Sequence, residues 1–366
     1  MVSKALVVGA YHSKLREIAR LGVDLAVIIP SRWGLQRSEI VEATEYDLTV
    51  LSCIRSGHLQ HFYPNVLSIF RACRCDLIHI DEEPFSAVTW EVLTIARTHK
   101  TPALFFTWQN IFERYHYYGR LFETYAFRHV KAAIAGNEEA RNILYQRGFQ
   151  RPVWVIPQFG VDPDFFKRMD ATELRKSLGV TGKFVIGFLG RLVEEKGVDN
   201  LIAALKRLPE DTVALIVGSG PVQAQLQQLS EKLGLAERMR WVSSIPSFEV
   251  PKYLNLLDVL VLPSRTRTNW KEQFGRVLVE AMACEVPVIG SDSGEIPNVI
   301  GEGGYIFPED DVKALADVIL LLHRDASLRR SLGSQGRKRV LSRYTQANIA
   351  RETVDVYREV LSKGRV

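Results

Sequence analysis

Short apolar runs alternate with helix-length amphipathic segments from one end of the chain to the other, and this alternation limits the fold more than any other feature. In the first half the runs are 4–9, 25–30, 77–81, 103–107, 132–135 and 153–156. In the second half they are 184–189, 213–217, 240–242, 259–262 and 286–290. Runs of Val, Ile and Leu without polar alternation read as strands buried on both faces, the pattern of parallel sheets. Parallel neighbours need a crossover, and the intervening segments are long enough to supply helices. Two such series predict an α/β chain of two doubly wound, Rossmann-like domains. A length of 366 residues gives each domain enough chain for its own core.

A division is expected within 156–164, where Pro157, Gly160 and Pro163 stop regular structure before the second series begins. The expected parts are therefore 1–160, 161–345 and an amphipathic tail helix in 346–366. A net charge of +5 without a block of like charge argues against a nucleic-acid partner. It is compatible with an anionic membrane surface and does not require one. Cys73 and Cys75 lack the C-x-x-C spacing and the nearby His cluster of a zinc site. With Cys53 and Cys284 they read as reduced thiols of a cytoplasmic protein. The first residues contain no signal-peptide apolar core, and no run approaches the ~18 apolar residues of a membrane span.

The chemistry concentrates between Glu272 and Glu280, eight residues apart across the start of an expected helix at 274–284. Val277, Leu278, Ala281 and Met282 form its core-facing stripe. Glu280 then sits inside an apolar helix, where an unpaired charge is costly. Gly275 lets a ligand approach the backbone. The N–H groups and positive dipole end at Phe274, Gly275 and Arg276 suit an anion. Carboxylates on either side would bracket a molecule with a central diphosphate and hydroxyls at both ends, as in a nucleotide-sugar. Glutamates at this spacing are often merely solvated, but Val279, Ala281 and Ala283 do not form a solvent-exposed face.

Strand 184–189 leads into Gly190 and Arg191, with Lys196 in the same loop. Ligands of doubly wound sheets bind beyond the carboxyl ends of strands. A guanidinium there offers forked hydrogen bonds to a diphosphate and an ammonium offers a point charge. The competing reading is a pair of solvated cations beside Glu194 and Glu195. Gly218-Ser219-Gly220 also follows a strand, but Gln223 replaces the last glycine of a dinucleotide fingerprint, so a structural turn that lines the site is the better reading. No D-x-D pair is placed to hold a divalent ion on a nucleotide, and Asp310-Asp311 reads as the start of a helix.

These residues resemble the retaining glycosyltransferases of family 4, which have the GT-B architecture. Glu272 to Glu280 is similar to the family's E-x7-E motif, and 190–197 to its basic phosphate-binding loop. Val217-Gly218-Ser219-Gly220-Pro221 and Ser291-Asp292-Ser293-Gly294-Glu295-Ile296-Pro297 match further landmarks in order. The resemblance implies two facing domains with a cleft, a linker at 156–164, and a final helix returning to the first domain. It also implies retention of anomeric configuration without a metal or other cofactor. In it Glu272 contacts the donor sugar and Glu280 the ribose, while Val242 and Ser243 lie where the base would rest. Gly9 opens the loop facing the donor phosphates and the acceptor, although 9–14 lacks the family's paired glycines.

The first domain is then expected to select the acceptor. Tyr11 and His12 lie in its first loop, and Glu82 lies at the carboxyl end of 77–81 among three acids. Gln109 and Asn110 stand where many family members carry a histidine; they can bond sugar hydroxyls but cannot act as a general base. The aromatic and basic run 108–128 suits a membrane interface and equally a packed helix. The expectation is a cytoplasmic hexosyltransferase, with the inner membrane face as a further setting. It would use a UDP- or GDP-sugar donor and a glycan or lipid-linked acceptor. A GT-B sugar-nucleotide epimerase and a non-catalytic donor-binding subunit are the alternatives.

Overall fold

A computed structural model describes residues 1–41, 44–72 and 74–363. They separate into two units, one of Met1–Gly160 with the segment from Gln346, the other of Val161–Thr345. In the first unit β1 (Ala26–Pro30) is followed by a small antiparallel hairpin of β2 (Arg32–Trp33) and β3 (Gln36–Arg37). β4 (Asp47–Leu51) then pairs in parallel with β1. β5 (Ile78–Ile80), β6 (Ala103–Thr107), β7 (Ala132–Ala135) and β8 (Val153–Val155) pair in parallel in that order.

The expected strand at 4–9 is not formed. Val2 alone bridges β1 and β5, through Ile28 and Ile80, and Ala5–Val7 and Gly9–Tyr11 are 3-10 turns. The cause is one hydrogen bond: the Lys4 backbone N–H is taken by the Glu82 carboxylate at 2.6 Å, so the chain leaves the ladder after Ser3. Leu6 and Val7 are nevertheless buried, which is what the apolar run demanded. With Val2 as its central rung, the order β4-β1-Val2-β5-β6-β7-β8 is doubly wound.

The second unit holds one six-stranded parallel sheet. Its strands are β9 (Phe184–Leu189), β10 (Thr212–Val217), β11 (Met239–Val242), β12 (Val259–Leu262), β13 (Val288–Ser291) and β14 (Gly304–Phe307). The order β11-β10-β9-β12-β13-β14 reverses direction between β9 and β12. That reversal is the switch point at which such sheets open a crevice for ligands.

The tail helix, Gln346–Lys363, belongs to the first unit. Ile349, Ala350, Val354, Tyr357 and Val360 join Leu15 and Ile18 of the helix His12–Arg20 in one core. The Tyr357 hydroxyl bonds His79 Nδ1 at 2.7 Å. Cys53 and Cys284 are free thiols, whereas Cys73 lies outside the described residues. Among the described residues no helix is long and apolar enough to cross a membrane.

Candidate active site at the sheet switch point

β9 and β12 are adjacent, with Val259 opposite Ile186 and Leu260 opposite Gly187, so the loops after both leave the same end of the sheet. Lys196 from the first loop and Glu272 from the second, 76 residues apart, meet with Nζ and Oε2 separated by 2.5 Å. The Ser264 hydroxyl donates to the same oxygen at 3.0 Å, and the Trp270 ring lies 5.0 Å from the ammonium. The two charged side chains retain 19% and 10% exposure, so a small solute can reach them. Lys196 is therefore not a cation solvated beside Glu194 and Glu195.

Glycines make this approach possible. Gly197 is left-handed at φ +62°, and a Cβ there would lie 2.0 Å from the Pro263 carbonyl oxygen. The Arg265 N–H then donates to the Glu195 carbonyl at 2.8 Å, tying the two loops together. Arg265 itself forks onto Asp199 at 2.8 and 2.6 Å, donates to Asn200 at 3.0 Å and also pairs with Asp310. A third loop closes on Glu272 from behind. Gly294, at φ +54°, would place a Cβ 2.1 Å from the Glu272 carbonyl oxygen, and the Glu295 N–H donates to that oxygen at 3.0 Å.

The helix after Glu272 spans Arg276–Ala283, with Gly275 at its N-cap in the left-handed region, φ +74°. Phe274 and Gly275 therefore precede the helix, and Arg276 is its first residue. Glu280 is not unpaired as expected: Arg276 Nε lies 2.8 Å from its Oε1. Burial pushes the Glu280 carboxyl upward and the Arg276 charge pulls against it. Arg191 and Gly190 are exposed at the carboxyl end of β9. A Cβ on Gly218 would come within 1.9 Å of the Gly190 carbonyl oxygen, so the 218–220 turn buttresses that loop. Val242 is half-buried and Ser243 exposed at the end of β11. Asp311 caps the next helix through the Ala314 N–H at 2.9 Å, whereas Asp310 turns back to Asn200 and Arg265.

In the first unit several expected acceptor residues are committed to the fold. His12 is buried with Nε2 on the Leu6 carbonyl and Nδ1 on the Tyr46 hydroxyl, both at 2.8 Å, leaving no ring nitrogen for a ligand. Glu82 is buried against Lys4 and cannot meet an acceptor as expected. Its burial pushes the carboxyl up to about 7 against the pull of Lys4. Glu83 accepts from the Thr107 hydroxyl and the Trp108 N–H, and Asp81 from the Ser3 hydroxyl. Tyr11 stacks on Phe159 at 4.0 Å, and the Gly9 N–H donates to Glu39 at 2.7 Å. Gln109 folds onto the Ile111 carbonyl at 2.7 Å, and Asn110 is buried near Glu139.

Ser264, Arg265, Trp270 and Asp199 were not picked out from sequence. The carboxyl-end rule applied to β12 would have found Ser264 and Arg265, the second and third residues after that strand. Among the described residues no three His, Cys, Asp or Glu side chains stand close enough to hold a metal ion.

Residues 170–339 match the family profile described as Glycosyl transferases group 1, and residues 12–165 that described as Glycosyltransferase Family 4. The chain is 36% identical over 188 residues to the GDP-mannose-dependent alpha-(1-6)-phosphatidylinositol monomannoside mannosyltransferase of Mycolicibacterium smegmatis, covering 49% of this chain and 48% of that protein. It is 31% identical over 202 residues to the N-acetyl-alpha-D-glucosaminyl L-malate synthase of Bacillus anthracis, covering 54% and 51%. The chain thus spans about half the length of the curated relatives it matches. HepE of Anabaena, solved in complex with UDP, shares the GT-B fold at a TM-score of 0.77 and 22% identity over 98% of each chain.

Proposed function

This chain belongs to the family 4, group 1 glycosyltransferases, and we propose that it moves a hexosyl group from a UDP- or GDP-sugar to a hydroxyl of a glycan or lipid-linked saccharide. One observation carries the reading: Lys196 and Glu272 converge at 2.5 Å on the switch point of the second unit's sheet. Breaking the bond between sugar and diphosphate leaves negative charge on the departing oxygen. Arg191, Lys196 and the helix start at Gly275–Arg276 are preorganised to stabilise it, a task that elsewhere falls to a metal. Glu272 accepts from hydroxyls of the sugar, and Glu280, held by Arg276, from those of the ribose. The first unit supplies the acceptor site, and transfer proceeds with retention. Phe112, Tyr117 and Tyr118 are exposed near Arg114 and Arg120, which supports contact with a membrane carrying the acceptor.

The test is turnover of radiolabelled UDP-glucose and GDP-mannose, followed as nucleoside diphosphate release with membrane-derived saccharide as acceptor. Lys196→Ala is expected to lower kcat by roughly 10²–10³-fold, as for loss of one preorganised donor. The donor KM should change less. Activity should persist in excess EDTA. An unchanged kcat refutes the role of the loop, and loss in EDTA with recovery on magnesium or manganese refutes metal independence.

A further inference from the structure

We propose that Glu272 competes with the donor's diphosphate for Lys196, so that tight nucleotide binding depends on the sugar being attached. The inference rests on the donor reading above and adds a discrimination between donor and product. Lys196 is a compact charge already held by Glu272 at 2.5 Å, with Trp270 beside it. A diphosphate arriving at the end of β9 needs the same ammonium. The pair is largely shielded from water, at 19% and 10% exposure, so the competition is weakly screened.

The carboxylate is the fixed partner. The Ser264 hydroxyl holds the oxygen that Lys196 uses, and the Glu295 N–H and Gly294 hold the backbone behind it. Lys196, on a flexible stem, is the group that must move. When an intact nucleotide-sugar binds, sugar hydroxyls donate to Glu272 and compensate the carboxylate, freeing Lys196 for the diphosphate. When only the nucleoside diphosphate remains after transfer, the sugar hydroxyls no longer compensate Glu272. It then reclaims Lys196 and repels the product. The pair would thereby favour product release, and Glu272 would serve both sugar contact and discrimination.

The experiment is calorimetric titration of UDP and of GDP into the wild type, Glu272→Gln, Lys196→Ala and the double variant, with turnover of UDP-glucose and GDP-mannose measured alongside. Gln keeps an acceptor for Ser264 and removes the charge. Glu272→Gln is expected to bind the nucleoside diphosphate about tenfold tighter than the wild type, the order of one hydrogen bond to a charged group. Its turnover should fall. In the Lys196→Ala background the same change should give little gain, because the prize of the competition is absent. Unchanged or weaker binding by folded Glu272→Gln overturns the inference. So does an equal gain without Lys196, which would mean simple repulsion. Should the Gln variant fail to fold, Glu272→Asp withdraws the carboxylate by one methylene, and a gain of about threefold is expected; no gain overturns the inference. If neither UDP nor GDP binds any of the proteins, the donor reading falls and takes this inference with it.

Discussion

Burial sets protonation at several single residues of the first unit. His79 is buried, with Nδ1 on the Tyr357 hydroxyl, and desolvation pushes its pKa down from 6.5 to about 3. An imidazole that stays neutral in the fold but charges in the unfolded chain stabilises fully above pH 6.5. That stabilisation is lost as pH falls from 6.5 toward 3. His79→Asn, which can still bond Tyr357, should therefore be less stable than the wild type at neutral pH. The gap should narrow by about 2 kcal/mol between pH 7 and pH 5, because the variant has no imidazole to keep neutral. Glu82 titrates in the opposite sense but is common to both proteins and cancels. Urea melts of both proteins at the two pH values measure the difference, and a gap that does not narrow refutes the buried-neutral assignment. Legibility at this scale followed position. The loop positions of Lys196 and Glu272 were readable because one follows a buried strand and the other precedes an apolar helix. Glu82 was misread because sequence cannot show that Lys4, 78 residues away, would bury with it.

Between elements, the site depends on three loops held together at backbone level. Gly294 illustrates the dependence. Its positive φ disfavours any side chain, and its Cβ would also meet the Glu272 carbonyl at 2.1 Å. Gly234 shares the positive φ, at +73°, but has nothing within 4 Å of its would-be Cβ. Both alanine substitutions should lose about 1 kcal/mol or more of stability to strain. Only Gly294→Ala must displace Glu272, so only it should lose turnover, by at least about tenfold given the sensitivity of rate to small misplacements. Equal activity of the two variants would show that the third loop does not position Glu272. The strands feeding these loops were legible because β9, β12 and β13 are buried throughout and lie in apolar runs. β4 and β14 escaped notice because they are sheet edges, half-exposed and mixed in pattern. The run at 4–9 was right about burial and wrong about conformation, since hydrophobicity reports the former and a distant carboxylate decided the latter.

For the whole molecule, periodicity revealed two parallel-sheet series but could not say where the tail would settle. An amphipathic helix must bury one face, and its own sequence does not name the surface that receives it. The structure gives that face to the first unit. Ile349, Ala350, Val354, Val356, Tyr357 and Val360 are buried there, and Tyr357 also bonds His79. Each large apolar side chain among them contributes about 1.5–3 kcal/mol, and a unit of this size has only about 5–15 kcal/mol in total. Among the described residues, the second unit's buried core includes none from the helix. Truncation after Thr345 should therefore unfold the first unit and leave the second folded. Hydrogen exchange followed by mass spectrometry would show peptides from 1–160 losing protection while those from 161–345 keep it. The truncated chain should still bind the nucleoside diphosphate and should transfer no sugar, because only the unit assigned to the donor survives. Retained protection across 1–160 would mean that the tail helix is dispensable to the first core, and loss of protection across both series would mean that the two units fold as one.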